Sequence, residues 1–362
     1  MTTFTVPLEP NHPPVPEPTA PGARAISWQG VRTIAVLELR QRIRSTRWRV
    51  ALGVWFGLVG LISLLIGGAF AALGGDPTWA FGLVLMFVLG LGLVVAPTLA
   101  STAINGDRNA GTLAILQVTL LSPADIAVGK LLAGWAAALA FLTVSLPFLL
   151  WSALLGGTTA GGFVLSLVVL ALLLGVVCAI GLGFSALTAR TAGSSVLTYV
   201  AVASLTVISL ILFVLTFPAV TTTEQVQVHG IVEESIADGG EYRCETFTDQ
   251  REVTHTEQTW WLLAINPFVI LADTGAQPGL DPDRSGPFEA IRAATNQMRS
   301  GPPDVFEECW LSSYAEPRVD DAAPVWPWGL GANLLLGAAG LAVAIRRLRV
   351  PYRTLPGGTR VA

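Results

Sequence analysis

"FVLSLVVLALLLGVVCAIGLGFSAL", residues 163–187, runs for 25 positions without a charged, histidine or amide side chain. A helix rises about 1.5 Å per residue, so this stretch is long enough to cross a hydrocarbon core about 30 Å thick. Five more runs share its character: Val50–Leu73, Trp79–Ile104, Leu131–Leu155, Ser194–Phe217 and Trp326–Ile345. Composition agrees with them. Charged residues make up 13% of the chain and hydrophobic residues 52%, with a mean hydropathy of +0.61, against roughly 25% charged in a soluble domain. The reading is an all-α integral membrane protein with six transmembrane helices.

Arginines set the expected orientation. Arg40, Arg42, Arg44, Arg47 and Arg49 precede the first span, and Arg346, Arg347, Arg349 and Arg353 follow the last. Arg108, Lys130 and Arg190 fall between spans two and three or four and five. All lie on one side, which the positive-inside tendency makes cytoplasmic, with both termini there. The loop 221–325 then lies outside. It carries 19 acidic residues and 6 arginines, a net −13, against +9 for the remainder. Tryptophans 79, 151, 326 and 328 stand near run ends, where interfacial rings are favoured.

Flanking segments divide as follows. Residues 1–26 hold seven prolines and no apolar run, and read as a disordered tail. Residues 27–48 read as an interfacial helix whose Arg40, Arg44 and Arg47 share a stripe, or as a plain positive flank. Residues 49–220 hold spans one to five, 326–346 span six, and 347–362 a cytoplasmic tail.

Several chemistries lack their residues. No Asp, Glu, Lys, Arg or His lies within the six runs, which disfavours an ion-coupled carrier. "ADIAVG" before Lys130 is no phosphate loop, since Ala124 stands where its first glycine belongs. No catalytic constellation or cofactor site stands out, and there is no basic patch for nucleic acid. "DPDRSGPFE" opens like a calcium loop through Asp281, Asp283, Ser285 and Gly286, but Arg292 replaces the closing glutamate. A polar turn capping a helix is the better reading.

Between spans two and three lies "INGDRNAGTLAILQVTLLSPADIAVGKLLAGW", which contains Lys130, the chain's one lysine. Asp107 can cap a helix. Leu113, Leu116 and Leu120 recur at helical spacing, and Ser122–Pro123 reads as a fresh helix start. A short surface helix with an apolar ridge suits docking into a groove on another protein; a simple connecting loop is the alternative.

This stretch resembles the corresponding loop of type-2 ABC transporter permeases, through Arg108, Gly111, Thr112, Leu113, Leu116, Thr119, Leu121, Ser122, Gly129 and Lys130. Asp107 replaces a usual glutamate, Ala114 a second, and Leu120 a usual proline. "VLELRQRIRSTRWRV" and "LLAINPFVILAD" are similar to further segments of that family. The resemblance implies a non-catalytic membrane subunit of an exporter in the bacterial plasma membrane. A separate ATP-binding subunit carries ATP and Mg and grips the coupling loop 105–130 through Asp107, Arg108, Gly111, Thr112, Leu113, Leu116, Ser122 and Pro123. A second permease chain, the same or similar, pairs with this one. The apolar spans suit amphipathic or lipidic, drug-like cargo. A membrane-anchored sensor or scaffold, whose outer domain binds a ligand without transport, is the rival reading.

Two packing expectations complete the sequence. Gly53 and Gly57, with Gly60 nearby, form a small-residue face suited to close helix approach. The resemblance puts the first and fifth spans at the dimer contact, and intramolecular packing is the alternative. In the outer region 221–325 an inserted α+β domain is expected, with a strand at "QVQVHGIV" and a re-entrant or interfacial segment at 260–272, too short to span. Cys244 and Cys309 both fall there, where a disulfide would persist; two free thiols are the alternative.

Overall fold

A computed structural model of the chain describes residues 26–74, 76–113, 121–231, 244–275, 286–309 and 323–349. The proline-rich tail, Leu116 and Leu120, and Asp281 to Ser285 lie outside them. Helix α1 spans Trp28–Arg44 and α2 spans Thr46–Leu73. Next come α3 (Thr78–Ala100), α4 (Asn105–Asn109), α5 (Pro123–Leu155) and α6 (Ala160–Leu187). Span five is α7 (Thr191–Ala203), a π turn (Ser204–Ile208) and α8 (Ser209–Val220). After strands β1 (Thr221–Ile231) and β2 (Cys244–Thr254) come α9 (Trp261–Ala264), α10 (Pro267–Gly275), α11 (Pro287–Ser300), β3 (Val305–Glu307) and α12 (Trp326–Leu348).

Six helical stretches are long and apolar enough to cross a membrane: Thr46–Leu73, Thr78–Asn109, Pro123–Leu155, Ala160–Leu187, Thr191–Val220 and Trp326–Leu348. The chain is a multi-pass integral membrane protein. Helices α3 and α6 are the most enclosed, and they share a core of Leu85, Leu89, Leu170 and Leu173 with parts of α2 and α5. Helices α6 and α12 cross at close range. A Cβ on Gly183 would sit 2.8 Å from the Gly340 Cα, and one on Gly340 would sit 2.6 Å from the Ala179 carbonyl oxygen. Glycine permits backbones this close, where dispersion contacts replace the hydrophobic drive missing in lipid.

The leading arginine stripe is interrupted. Helix α1 ends at Arg44, where the Ser45 N–H donates to the Arg42 carbonyl, so Arg47 belongs to α2. Helix α1 buries Val31 and Ile34 and lies along α5; a Cβ on Gly129 would meet Ile34 at 2.8 Å.

The segment 260–272 is a helix broken at Asn266–Pro267. Helix α9 stops before Asn266, and Pro267, which has no N–H to donate, starts α10. Ile270, Leu271 and Ala272 are fully buried in the core shared by the spans. Backbone freed at the break finds side-chain partners, as burial away from water demands. The Asn333 amide of α12 donates to the Ile265 carbonyl at 2.9 Å, and the Asn266 amide donates at 2.7 Å to the Thr206 carbonyl, inside the π turn.

In chain order the small sheet stands between spans five and six. Strand β1 continues from α8 without a break and pairs antiparallel with β2, from Thr221 opposite Thr254 to Ile231 opposite Cys244. Strand β3 adds in parallel on its other side, with His229 opposite Glu307, giving the order β2-β1-β3.

Candidate functional site

The end of the bundle that holds α1 gathers the polar side chains whose surroundings are most specific. Span two unwinds over Ser101–Ile104 before α4, and the Ser185 hydroxyl of α6 accepts from the backbone N–H of Ile104 at 2.9 Å and Asn105 at 3.1 Å. The Asn105 amide donates to Ser194 Oγ at 2.8 Å. Fully buried, Asn105 and its serines satisfy one another, which such networks require to hold a single geometry.

Onto this platform α4 presents Asp107. The sequence suggested a helix cap there; instead Ile104 is the N-cap, and the Asp107 carboxylate pairs with Lys130 Nζ at 2.5 Å. Lys130 also pairs with Glu38 of α1. With its side chain 2% exposed, Lys130 joins α1, α4 and α5 at one point. A buried ammonium needs such compensation. The sequence singles out Lys130 but not Glu38, although no other acidic residue lies between Ala25 and Gly75.

Just beyond, Ser122 and Pro123 start α5 as expected. Asp125 N–H donates to Ser122 Oγ at 3.1 Å and Ser122 N–H to Asp125 Oδ2 at 2.9 Å, a reciprocal capping box. The second carboxylate oxygen accepts from the Ser27 N–H at 2.7 Å, so one aspartate caps α5 and holds the start of α1. Between these anchors, Gly111 has φ +74°, the left-handed region that favours glycine, and turns the chain after α4. Arg108 and Thr112 are exposed.

Leu113 does not stand on an outward ridge. It is buried with Ile34, Ile104, Ile126 and Leu348, so it anchors the loop to its own chain. Leu116, its expected companion, lies outside the described residues.

The glycine face divides too. A Cβ on Gly53 or Gly57 would meet nothing within 4 Å, whereas one on Gly60 would meet the Phe148 ring at 2.8 Å. Gly60 therefore serves packing within the chain, between α2 and α5. Around Gly53 and Gly57, α2 exposes Val50, Val54, Leu61 and Leu64.

Cys244 and Cys309 are joined as a disulfide with Cα atoms 6.0 Å apart, and Cys178 is a buried free thiol. At the base of the hairpin, His255 lies between two carboxylates, with Nε2 3.0 Å from Glu224 and Nδ1 2.8 Å from Glu257. Hydrogen bonding, first to Glu224 and then to Glu257, raises its pKa above the usual imidazole value. Arg292 contacts Asp273 at 3.5 Å, not a cation loop. No family model matches the chain, and no curated protein matches it either.

Proposed function

We propose that this chain is the permease subunit of an ATP-driven exporter in a bacterial plasma membrane, working beside a separate ATP-binding subunit and a second permease chain. One observation carries the reading. The segment with the Gly-Thr-Leu and Gly-Lys pattern is clamped through Lys130 to both the leading helix and the third span, so a push there moves three helices together. A passive connector has no need of that mechanical continuity.

In this reading the α1 end faces the cytoplasm, with both termini, and the sheet faces outward. Arg108 and Thr112 stand free to meet the ATPase, while Leu113 anchors the segment from inside. The open Gly53 and Gly57 face of α2 takes the second permease chain. Apolar spans suit amphipathic or lipidic cargo. The protein itself performs no chemistry; ATP and Mg belong to the partner.

A photo-crosslinking residue in place of Thr112, activated in native membranes, tests the reading. An adduct identified by mass spectrometry as an ATP-binding-cassette protein is the expected result. If the adducts contain no such protein while the chain is inserted and folded, the exporter reading fails and a ligand-binding scaffold takes its place.

A further inference from the structure

At the sheet, three residues capable of binding metal converge from β1, β2 and the chain just after β3. His229 lies on central β1, opposite Thr246 of β2 and Glu307 of β3. Cys244 stands two positions before Thr246, and Cys309 two positions after Glu307. The register therefore brings all three to one face: both sulfurs and a ring nitrogen of His229 lie within 4.8 Å of one another. Cys309 is buried and the other two are half-buried.

We propose that the Cys244–Cys309 pair has a second, reduced state in which both thiolates and His229 bind one zinc-like divalent cation. Thiolate sulfurs bind zinc at about 2.3 Å and imidazole nitrogens at about 2.0–2.1 Å, so small side-chain rotations carry these atoms from their present spacing to three corners of a tetrahedron, with the fourth left to water. The 6.0 Å separation of the two Cα atoms suits either link. His229 Nδ1 lies 3.1 Å from Thr246 Oγ1. That outer hydrogen bond fixes the ring and leaves Nε2 as the ligand, the arrangement that metal-binding imidazoles adopt. Glu307, 4.0 Å from Nε2, adds negative charge favourable to a cation.

The exchange balances. A dithiol reductant supplies two electrons and two protons, the Cys244–Cys309 bond opens to two thiols, and the reductant's own sulfurs close into a disulfide. The cation then displaces the two thiol protons. Either cross-link ties the start of β2 to the end of β3 across β1. The sheet thus keeps its clamp under oxidising and reducing conditions alike.

The test uses the full-length protein in detergent, reduced, freed of reductant without air, and titrated with Co²⁺ as the probe. Thiolate-to-cobalt charge transfer should appear at one equivalent per chain, be absent before reduction, and be displaced by Zn²⁺. Thr246→Val should weaken binding by about tenfold, and His229→Ala by more, while Cys178→Ala binds as the parent does. Circular dichroism of each metal-free variant checks its fold, and Thr246→Val carries the test if His229→Ala does not fold. No charge transfer after reduction, or parental affinity in the folded histidine or threonine variant, would overturn the site.

Discussion

Lys130 Nζ lies 2.5 Å from the Asp107 carboxylate, 23 positions earlier in the chain, and the same ammonium reaches Glu38 a further 69 positions back. One buried cation thus fixes how far α1 and α4 can move relative to α5. Replacing it with Met would leave two carboxylates facing each other, a loss of about 3–5 kcal/mol for a broken buried pair. We expect a marked fall in the detergent melting temperature of Lys130→Met, largely recovered by adding Glu38→Gln and Asp107→Asn. A single variant as stable as its parent would show that the cluster does not hold the helices.

Position decides what glycine substitutions do. Gly340→Val must push against the Ala179 carbonyl, and overpacking of this kind costs about 1–3 kcal/mol or more. A Cβ on Gly53 meets nothing within its own chain and the residue is exposed, so the Gly53→Leu monomer should melt unchanged. If α2 carries the second permease chain, Gly53→Leu should still weaken the oligomer, measured by mass photometry in detergent. An unchanged oligomer would remove α2 from the contact.

His255 should make the base of the hairpin sensitive to pH. Its pKa is raised by Glu224 and Glu257, so its stabilising contribution is fully present below the unfolded imidazole value of about 6.5. That contribution is lost as pH rises through the folded value. Hydrogen exchange at 221–224 and 252–255 should quicken over that window, and His255→Asn should flatten the change. Equal pH dependence in both proteins would contradict the assignment.

Asp273 should govern the start of α12. Its Oδ2 accepts from the backbone N–H of Val325 at 2.6 Å and Trp326 at 2.8 Å, and the residue is buried. Asp273→Ala orphans both donors, at about 1–3 kcal/mol for each buried unsatisfied group. Exchange at the amides of Val325, Trp326 and Trp328 should rise while that of α3 and α6 stays slow. Uniform loss of protection would instead mean global unfolding.

The spans were legible because an uninterrupted apolar run is a one-dimensional signal. Strand β1 was legible because "QVQVHGIV" alternates. Which way each residue faces was not legible: a span apolar all round carries no amphipathic period to read, and the leucine period of the loop shows an apolar face without showing whether its own chain or a partner covers it. That is why Leu113 and Gly60, expected at partner contacts, prove to pack against Ile126 and Phe148 of their own chain. Short breaks were hidden for another reason. The turn at Ser101–Ile104 contains no proline or charge, and its end is held by Ser185, about eighty positions later, which accepts from the N–H groups of Ile104 and Asn105.

The broken helix at Asn266–Pro267 has a consequence for biosynthesis. Residues 261–275 leave the ribosome well before Asn333, yet the Ile265 carbonyl is taken by Asn333, and Asp273 receives its donors from Val325 and Trp326. Asn266 can already donate to Thr206, but until those later residues emerge the Ile265 carbonyl and the Asp273 carboxylate lack the partners that burial demands. We expect a chain truncated before Val325 to hold residues 261–275 less firmly than the full chain does, because the contacts from Asn333, Val325 and Trp326 are missing.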